Sequence, residues 1–264
     1  MTALSDEKEY ALRQELQECE EAHGSEDLRM VLPLSRMAQH LKRKGRASET
    51  IDLYRRGLSI LERQYGADDV SVALFAGYLA AAYAALGEEA EAAALLHKAT
   101  GILDLFAEQD PVGVASSFCL IGDDFLQAGR EDEAALLLTV ALRSLPGEAD
   151  DDTRWRIWFS LSRLFSKKQN TAAAIASAKR SVNTLQRMRK NIAAQSMDGM
   201  RVFTDDVGPI YAYLGNLLTD ALRSAELQEV EALRQEETSF DVMKLSEEER
   251  SGLESFFARK TAGK

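Results

Sequence analysis

The fold is decided by residues 71–107, which read SVALFAGYLAAAYAALGEEAEAAALLHKATGILDLFA. Apolar residues run almost without a break to Ala85, and a second apolar run with helical spacing begins after Gly87. Alanine and leucine are strong helix formers. A glycine between two such runs favours a left-handed helix end followed by a tight turn. The stretch therefore predicts two helices joined at Gly87.

The same pattern recurs on both sides of this stretch with a period of 42 residues. Gly45 precedes Gly87 by 42 residues, and Gly129 follows it by 42. The acid-rich turns at Gly24 and Gly66 are again 42 residues apart. A fixed period of this length is typical of arrays of stacked helix pairs, in which each pair buries its apolar face against its neighbours.

Each predicted first helix carries a large residue, a small residue next to it, and a second large residue three positions later. This spacing places all three on one face. The triads are Met37–Ala38–Leu41, Leu79–Ala80–Tyr83, Ile121–Gly122–Phe125, Leu161–Ser162–Phe165 and Leu214–Gly215–Leu218. Each predicted second helix carries small residues seven apart, which allow a neighbouring helix to approach closely. These are Thr50 and Gly57, Ala92 and Ala99, Ala134 and Ala141, Ala174 and Ser181, with Leu227 at the corresponding place in the last pair.

The predicted fold class is all-α: a right-handed superhelix of about five helix pairs with a capping helix at each end. The solenoid is expected over residues 1–237, with a linker and a C-terminal helix over 238–264. Within it we expect a lone helix over 5–22 and helix pairs over about 28–65, 70–107, 111–145, 153–203 and 207–237.

Two local signals predict where the last helices begin and end. The fourth pair is expected to have an extended second helix through residues 185–203, with Pro209 in the turn that follows, because proline disrupts a helix interior. Ser246 and Glu249 have the spacing of a capping box. They predict a final helix that ends near Arg259.

Composition excludes several classes of function. The 264 residues include 43 acidic and 32 basic ones, a net charge of -11, and such a surface repels phosphate backbones. Cys19 and Cys119 cannot form a disulfide framework and fit a reducing compartment. The sequence starts with no apolar signal core and has no run of the roughly 20 apolar residues that a membrane span needs. We expect a cytoplasmic protein without nucleic-acid or membrane partners.

No motif for phosphate, dinucleotide or zinc binding occurs, so we expect no cofactor, metal or catalytic residue. Cys19 and His23 are four residues apart on one predicted helix, but two ligands do not make a site. The favoured interpretation is a core cysteine beside a solvated histidine. Asp123 and Asp124 are expected inside a helix, and the acidic run 150–152 is expected to cap the next helix rather than to bind a cation.

The matched glycines and small residues over roughly residues 5–237 resemble tetratricopeptide repeats, in the 42-residue form seen in kinesin light chain. This resemblance implies a module that binds proteins or peptides. The lysine and asparagine arrangement by which chaperone-binding members of the family hold a C-terminal carboxylate is not present. Hsp70 and Hsp90 tails are therefore not expected as ligands.

Residues 203–242, FTDDVGPIYAYLGNLLTDALRSAELQEVEALRQEETSFDV, are similar to the last repeat before the caspase-like domain of bacterial TPR–CHAT proteins. The shared features are an acidic turn, a Pro-x-Tyr leading into a leucine-rich helix, and a short aromatic-acid segment at Ser239–Asp241. The resemblance implies regulation of a CHAT-type peptidase, in cis or in trans, in a bacterial defence or signalling system. The chain's histidines and cysteines all lie inside the repeats, so any peptidase activity is expected outside this chain. The histidines are His23, His40 and His97.

Positions one and four past the small residue of each first helix are expected to point into the concave groove of the solenoid. The predicted partner-binding residues, from these positions and their neighbours, are Arg36, Gln39, Lys42, Arg43, Tyr78, Ala81, Asp123, Arg163, Lys167 and Asn216. Such a groove is basic at both shoulders and apolar in the middle. It is complementary to a peptide with acidic ends and a hydrophobic centre.

Two alternatives stay open. A free-standing adaptor or oligomeric scaffold without an attached enzyme could use the outer helices, or a final helix with Leu253, Phe256 and Phe257 exposed, to pair with another chain. A small-molecule sensor could use the apolar middle of the groove near Tyr78 and Tyr83.

Two further features have a favoured structural interpretation. Trp155 and Trp158 are expected to seal the fourth helix pair against the third, with peptide anchoring as the alternative. The basic, methionine-rich stretch 187–201 is expected to be a long helix with its methionines in the core. Its alternative is an adaptable partner surface, because methionine repacks readily.

Overall fold

The computed structural model describes residues 2–147, 151–193, 197–235 and 243–261, and every regular element in these ranges is helical, with no strand among them. The α-helices are α1 (Thr2–His23), α2 (Val31–Arg43), α3 (Ala47–Tyr65), α4 (Val70–Ala85), α5 (Glu89–Phe106), α6 (Pro111–Gln127), α7 (Glu131–Ser144), α8 (Asp151–Lys167), α9 (Thr171–Ala193), α10 (Met197–Asp220), α11 (Ser224–Gln235) and α12 (Glu247–Thr261). A short 3₁₀ helix spans Leu28–Met30. The all-α class predicted from the sequence is confirmed.

The helices pack in consecutive pairs, as an α-solenoid requires. The chain forms two compact units, unit 1 (residues 1–130) and unit 2 (residues 131–264). In unit 1, α2 packs on α3, α3 on α4, and α4 on both α5 and α6. In unit 2, α8 packs on α9, α9 on α10 and α12, and α10 on α11. The right-handed superhelix stays a prediction.

Five turns between paired helices share one hydrogen-bond pattern. The residue after the left-handed position donates its amide to a carbonyl five residues back, at 2.9–3.1 Å. The donor and acceptor pairs are Arg46–Leu41, Glu88–Tyr83, Arg130–Phe125, Asn170–Phe165 and Arg223–Leu218. Gly45, Gly87 and Gly129 supply positive φ angles of 73°, 79° and 78° in the first three turns. Gln169 (56°) and Leu222 (57°) do so in the last two, which explains why glycine spacing alone does not reveal those turns.

The predicted first-helix triads form much of the core. Fourteen of their fifteen residues are buried, and Tyr83 is half-buried. In α4 the burial extends around the helix, because every residue from 75 to 82 is buried. A helix that is apolar all round belongs inside a structure rather than at its surface.

Close helix contacts occur where the sequence supplies glycine inside a helix. A Cβ added to Gly77 of α4 would lie 2.5 Å from Cδ1 of Ile121 on α6. A Cβ added to Gly57 of α3 would overlap the ring of Phe75 on α4. The predicted close approach at Gly57 is therefore present, and Gly77 is a second such point.

The structure corrects the predicted boundary near residue 203. Helix α9 ends at Ala193, and α10 runs from Met197 to Asp220 with Pro209 inside it. The boundary predicted between 203 and 207 therefore lies within α10. Proline has a φ angle that suits a helix, and in this position it removes one backbone hydrogen bond without ending the helix.

The predicted capping box at the start of α12 is present. The amide of Glu249 donates to Ser246 Oγ (3.2 Å), and the amide of Ser246 donates to Glu249 Oε2 (2.9 Å). This reciprocal pair satisfies two amides that would otherwise lack partners at the helix start.

Candidate functional site

The exposed side of α2 in unit 1 carries Arg36, Gln39 and Arg43. Their spacing of three and four residues places them along one stripe, while the apolar triad of the same helix is buried. The guanidinium of Arg36 lies 2.6 Å from Glu15 Oε1 of α1, with the Arg36 side chain 53% exposed. We call these three residues the α2 stripe. All three belong to the predicted groove.

Lys42, the fourth predicted residue on α2, is not part of that exposed stripe. Its ammonium forms an ion pair with Asp124 Oδ1 of α6. The side chains are only 13% and 9% exposed. This ion pair ties α2 to α6 close to the α2 stripe.

Tyr54 of α3 and Tyr78 of α4 lie near the Asp124 carboxylate. Their ring centroids are 5.5 Å apart. Burial raises the pKa of Asp124, and the nearby Lys42 ammonium opposes that increase. Burial, together with the nearby Asp124 carboxylate, also raises the pKa of both tyrosines. Four helices therefore meet at one buried polar cluster.

Two atoms in this cluster lack a hydrogen-bond partner among the described residues. They are Asp124 Oδ2 and the hydroxyl of Tyr54, and both are buried. A buried polar group without a partner costs stability. The arrangement suits a positioning role for the Lys42–Asp124 pair, and its carboxylate is not exposed to act as a general acid or base.

The predicted apolar middle of the groove needs a correction. Tyr78 is 6% exposed and Ala81 is 2% exposed, because they belong to the part of α4 that is buried on all sides. These two side chains therefore offer almost no surface to a partner or a small molecule. Tyr83 is half-buried, and its hydroxyl accepts a hydrogen bond from Arg55.

The ten predicted groove residues divide between the two units. Seven lie in unit 1, where Asp123 is half-buried beside the ion-paired Asp124. Arg163, Lys167 and Asn216 lie in unit 2. Arg163 is half-buried with its guanidinium 6.0 Å from the ring of Phe159, and Lys167 and Asn216 are exposed on α8 and α10.

A second charged cluster in unit 1 joins α1 to the turn between α2 and α3. Glu9 Oε2 accepts a hydrogen bond from Lys44 (2.9 Å), and Glu9 Oε1 accepts from Arg13 and Arg46 (2.9 Å each). The hydrogen bonds from Lys44, Arg13 and Arg46 lower the pKa of Glu9 to about 2. His40 Nε2 lies 3.8 Å from Glu9 Oε2, and burial lowers the pKa of that histidine.

A third charged cluster is buried in unit 2. The ammonium of Lys179 on α9 donates to Glu249 Oε1 (3.0 Å) and Oε2 (3.1 Å) and to the carbonyl of Lys244 (3.1 Å). It also lies 2.7 Å from Glu226 Oε2 of α11. Arg223 donates to Glu249 Oε1 (2.5 Å). Lys179 and Glu249 are 1% and 0% exposed, so each needs opposite charges beside it in place of water.

The pKa of Glu226 is lowered in this cluster. Burial alone would raise its pKa, but hydrogen bonds from Lys179 and Arg223 lower it below its ordinary value. For Arg223, burial would lower the pKa, but the hydrogen bonds to Glu226 and Glu249 raise it above its ordinary value. The cluster therefore contains two cations and two carboxylates.

The candidate metal ligands do not converge. Among the described residues no group of three or more His, Cys, Asp or Glu side chains could hold a metal ion. Cys19 is half-buried and His23 is exposed on α1, while Cys119 is buried on α6. Asp150 and the side chain of Asp151 lie outside the described residues.

The two tryptophans lie near the N-terminal end of α8. The ring of Trp158 packs edge-on against Phe257 of α12 (6.2 Å between centroids), with the guanidinium of Arg180 4.6 Å from its ring. Trp155 donates its indole N–H to Asp152 Oδ1 (3.2 Å). In the basic stretch, Arg187 is exposed and Met188 packs against the core of unit 2. The side chains from 189 to 201 lie outside the described residues.

Sequence reasoning missed Asp124 and Lys179 as buried ionic residues. Asp124 follows the predicted Asp123, but its partner is 82 residues away in the sequence. Lys179 had a local signal, since it follows Ala178 and lies four residues after Ile175 on a buried helical stripe. A lysine in such a position indicates a buried carboxylate partner, although it does not identify which one.

No helix among the described residues is both long enough and apolar enough to cross a membrane. Comparison of the chain with known protein families and with curated proteins found no match.

Proposed function

We propose that the protein is a non-catalytic protein-recognition module, and that the α2 stripe of unit 1 is part of its binding surface. The observation that carries this proposal is the arrangement of Arg36, Gln39 and Arg43 on a helix tied to α6 by the buried Lys42–Asp124 pair. A rigid helix that displays long polar side chains can bind a peptide without having to become ordered first.

The chemistry of the stripe favours an acidic peptide segment. Arg36 and Arg43 are exposed cations whose planar guanidinium groups suit carboxylates. Arg36 already contacts one carboxylate, that of Glu15, which shows the kind of group it accepts. Since Tyr78 and Ala81 are buried, the ligand needs no hydrophobic centre to fill the middle of the surface.

The proposal is tested by selecting a phage-displayed random peptide library on the full chain. We expect the recovered peptides to be enriched in Asp and Glu. A parallel selection uses the variant Arg36→Glu/Arg43→Glu, in which the charge of the stripe is reversed. That variant should no longer recover the same acidic peptides.

The matched control is Arg63→Glu/Arg143→Glu, which makes the same change in net charge. Arg63 is exposed on α3 and pairs with Glu26, as Arg36 pairs with Glu15, and Arg143 is exposed on α7. Recovery of the same acidic peptides by the stripe variant as by this control would overturn the assignment of the α2 stripe. Failure of the wild-type chain to enrich any peptide would overturn the recognition function.

A finer form of the proposal makes the partner a caspase-like peptidase of the CHAT type, in a bacterial defence or signalling system. Its support is the similarity of residues 203–242 to the repeat that precedes such domains, and α10 and α11 in this region pack as a helix pair. The acidic residues that the similarity expects in a turn lie within α10. The experiment is to read the source gene past Lys264 and to assay any peptidase encoded in frame or beside it. We expect the activity of this peptidase to change when the helix pairs of this chain are removed. Unchanged activity would contradict the proposal of a CHAT-type partner.

The structure weakens the alternative of a free-standing adaptor or scaffold that pairs with another chain through its final helix. Leu253 is 2% exposed, and Phe256 and Phe257 stack on Phe165 and Trp158 of the same chain. The apolar face of α12 is therefore covered within unit 2 and is not available to pair with another chain while α12 stays in place.

A further inference from the structure

Helix α12 lies on α8 and α9 through a compact apolar contact. Leu253 is buried, and the ring of Phe256 packs edge-on against Phe165 at 4.7 Å between centroids. Phe257 packs in the same way against Trp158, at 6.2 Å. Aromatic pairs in this geometry contribute beyond the apolar area that they bury.

Gly252 allows the helix to lie close to the surface beneath it. A Cβ added at Gly252 would lie 3.4 Å from the backbone nitrogen of Ala173 and 3.6 Å from its Cβ. The side of α12 that carries Gly252, Leu253 and the two phenylalanines therefore fits this surface closely.

The surface below α12 is cationic, and the facing side of α12 is acidic. Lys179 and Arg223 bind Glu249, at 3.0 and 2.5 Å. Arg180 of α9, stacked on Trp158, lies close enough to Glu254 for that carboxylate to oppose the effect of burial on its pKa. The contact thus combines apolar side chains with complementary charges, which gives it specificity.

Helices α9, α10 and α11 share a core to which α12 does not contribute. The buried residues that join α9, α10 and α11 include Ile175, Leu185, Leu214 and Leu233. Of the described residues from 243 onwards, only Met243, which precedes α12, belongs to this core. When Glu249 is removed, Lys179 still has the carboxylate of Glu226 at 2.7 Å.

An open cleft lies between α12 and the turn that joins α8 to α9. It has a volume of about 570 Å³ and is lined by Phe165, Lys168, Glu248 and Phe256. The core shared by α9, α10 and α11 and this cleft are the two observations that favour a separable α12.

We infer that the surface of α8 and α9 is a binding site for an acidic amphipathic helix, and that α12 occupies it as a separable ligand. The recognised pattern is the one that α12 carries: a glutamate, a leucine four residues later, and two phenylalanines seven and eight residues later. A partner helix with this pattern binds the same site by displacing α12. This inference concerns unit 2 and does not depend on the function proposed for unit 1.

The experiment uses the full chain with a protease site inserted within residues 236–242. After cleavage, a fluorescent synthetic peptide of residues 243–261 is added, and its uptake is followed by fluorescence anisotropy. We expect the labelled peptide to exchange with the cleaved segment. The uncleaved chain should take up much less, because its tethered α12 has a high effective concentration.

Peptide variants identify the contacts. Glu249→Gln should weaken binding about tenfold or more, because it removes the negative charge that Lys179 and Arg223 contact. The matched control Glu248→Gln, next to it and exposed, should bind like the parent peptide. Phe256→Ala/Phe257→Ala should not bind.

Failure of the labelled peptide to exchange would overturn the inference. So would a loss of circular dichroism on cleavage greater than α12 itself accounts for, because it would show that α12 is needed for the rest of unit 2 to stay folded. Equal binding by the Glu249→Gln and Glu248→Gln peptides would also contradict it.

Discussion

Lys42 of α2 and Asp124 of α6 are 82 residues apart in the sequence and form a nearly buried ion pair in unit 1. The pair lies next to the exposed α2 stripe and joins the helix that carries the stripe to α6. A buried ion pair is costly to desolvate, but it is far costlier to break from one side. The pair is therefore a strong constraint on the geometry of the proposed binding surface.

Removal of either partner should have unequal effects. Lys42→Met leaves the buried Asp124 carboxylate without its cation, and we expect it to lower the free energy of unfolding by about 3–5 kcal/mol at neutral pH. Asp124→Asn removes a buried charge and leaves Lys42 with a long side chain that can reach solvent. Asp124→Asn should lower the free energy of unfolding by clearly less than Lys42→Met does. Urea denaturation of both variants measures the difference, and equal losses would contradict the described burial of Asp124.

The same pair predicts a dependence on pH. The folded-state pKa of Asp124 is raised above its ordinary value of 3.8, so protonation of this group favours the folded state. Its contribution to stability should increase as the pH falls through the raised pKa and should be lost as the pH rises. The penalty of Lys42→Met should therefore shrink towards acidic pH. Denaturation at a series of pH values, with Asp124→Asn as the reference, checks this, and a constant penalty would count against it.

Two helical glycines should respond in opposite directions to alanine. Gly77→Ala places a Cβ against Ile121, and we expect it to destabilise unit 1 by about 1–3 kcal/mol despite the better helix propensity of alanine. Gly101 on α5 has no atom within 4 Å of an added Cβ. Gly101→Ala should therefore stabilise the protein by about 0.5–1 kcal/mol. Thermal or urea unfolding of both variants measures the two changes in stability. Changes of the same sign would refute the packing of α4 on α6.

The turn before α11 should be improved by glycine. Leu222 has a φ angle of 57° and is 88% exposed, so its side chain adds strain and little packing. Leu222→Gly should stabilise unit 2 by about 0.5–1 kcal/mol. The control is Leu136→Gly on α7, also an exposed leucine but inside a helix, which should destabilise by about 1 kcal/mol. If Leu222→Gly destabilised the protein as much as Leu136→Gly, the left-handed conformation assigned to Leu222 would be wrong.

Local signals in the sequence predicted much of the fold. The triads and the glycines at 45, 87 and 129 indicated helix pairs and their turns, because burial on one face and a left-handed φ each require particular residue types nearby. Ser246 and Glu249 likewise predicted the start of α12, since a capping box is made by residues three apart.

Two kinds of feature could not be predicted from the sequence. They are residues in backbone positions that their type rarely occupies, and ion pairs between residues far apart in the chain. Gln169 and Leu222 adopt a conformation that usually selects glycine, and Pro209 is accommodated inside α10. The Lys42–Asp124 and Lys179–Glu249 pairs join residues 82 and 70 positions apart, and neither partner alone identifies the other. The candidate site was therefore found only in part: the α2 stripe was predicted, but the burial of Tyr78 and Ala81 was not.

Both terminal helices place a glutamate into a cationic cluster. Glu9 of α1 meets Lys44 and Arg46 in unit 1, and Glu249 of α12 meets Lys179 and Arg223 in unit 2. In unit 1 these cations come from the turn between α2 and α3, and in unit 2 they come from α9 and from the turn between α10 and α11. This is the same chemistry that we propose for the recognition of an acidic partner by the α2 stripe.

The most direct test of the recognition surface is calorimetric titration of one selected acidic peptide into three proteins at the same salt concentration. These are the wild-type chain, Arg36→Glu/Arg43→Glu and the charge-matched Arg63→Glu/Arg143→Glu. We predict binding weakened about tenfold or more in the stripe variant and nearly unchanged in the control. Equal affinities for all three proteins, with each variant folded by circular dichroism, would show that the peptide binds elsewhere and would contradict the assignment of the α2 stripe.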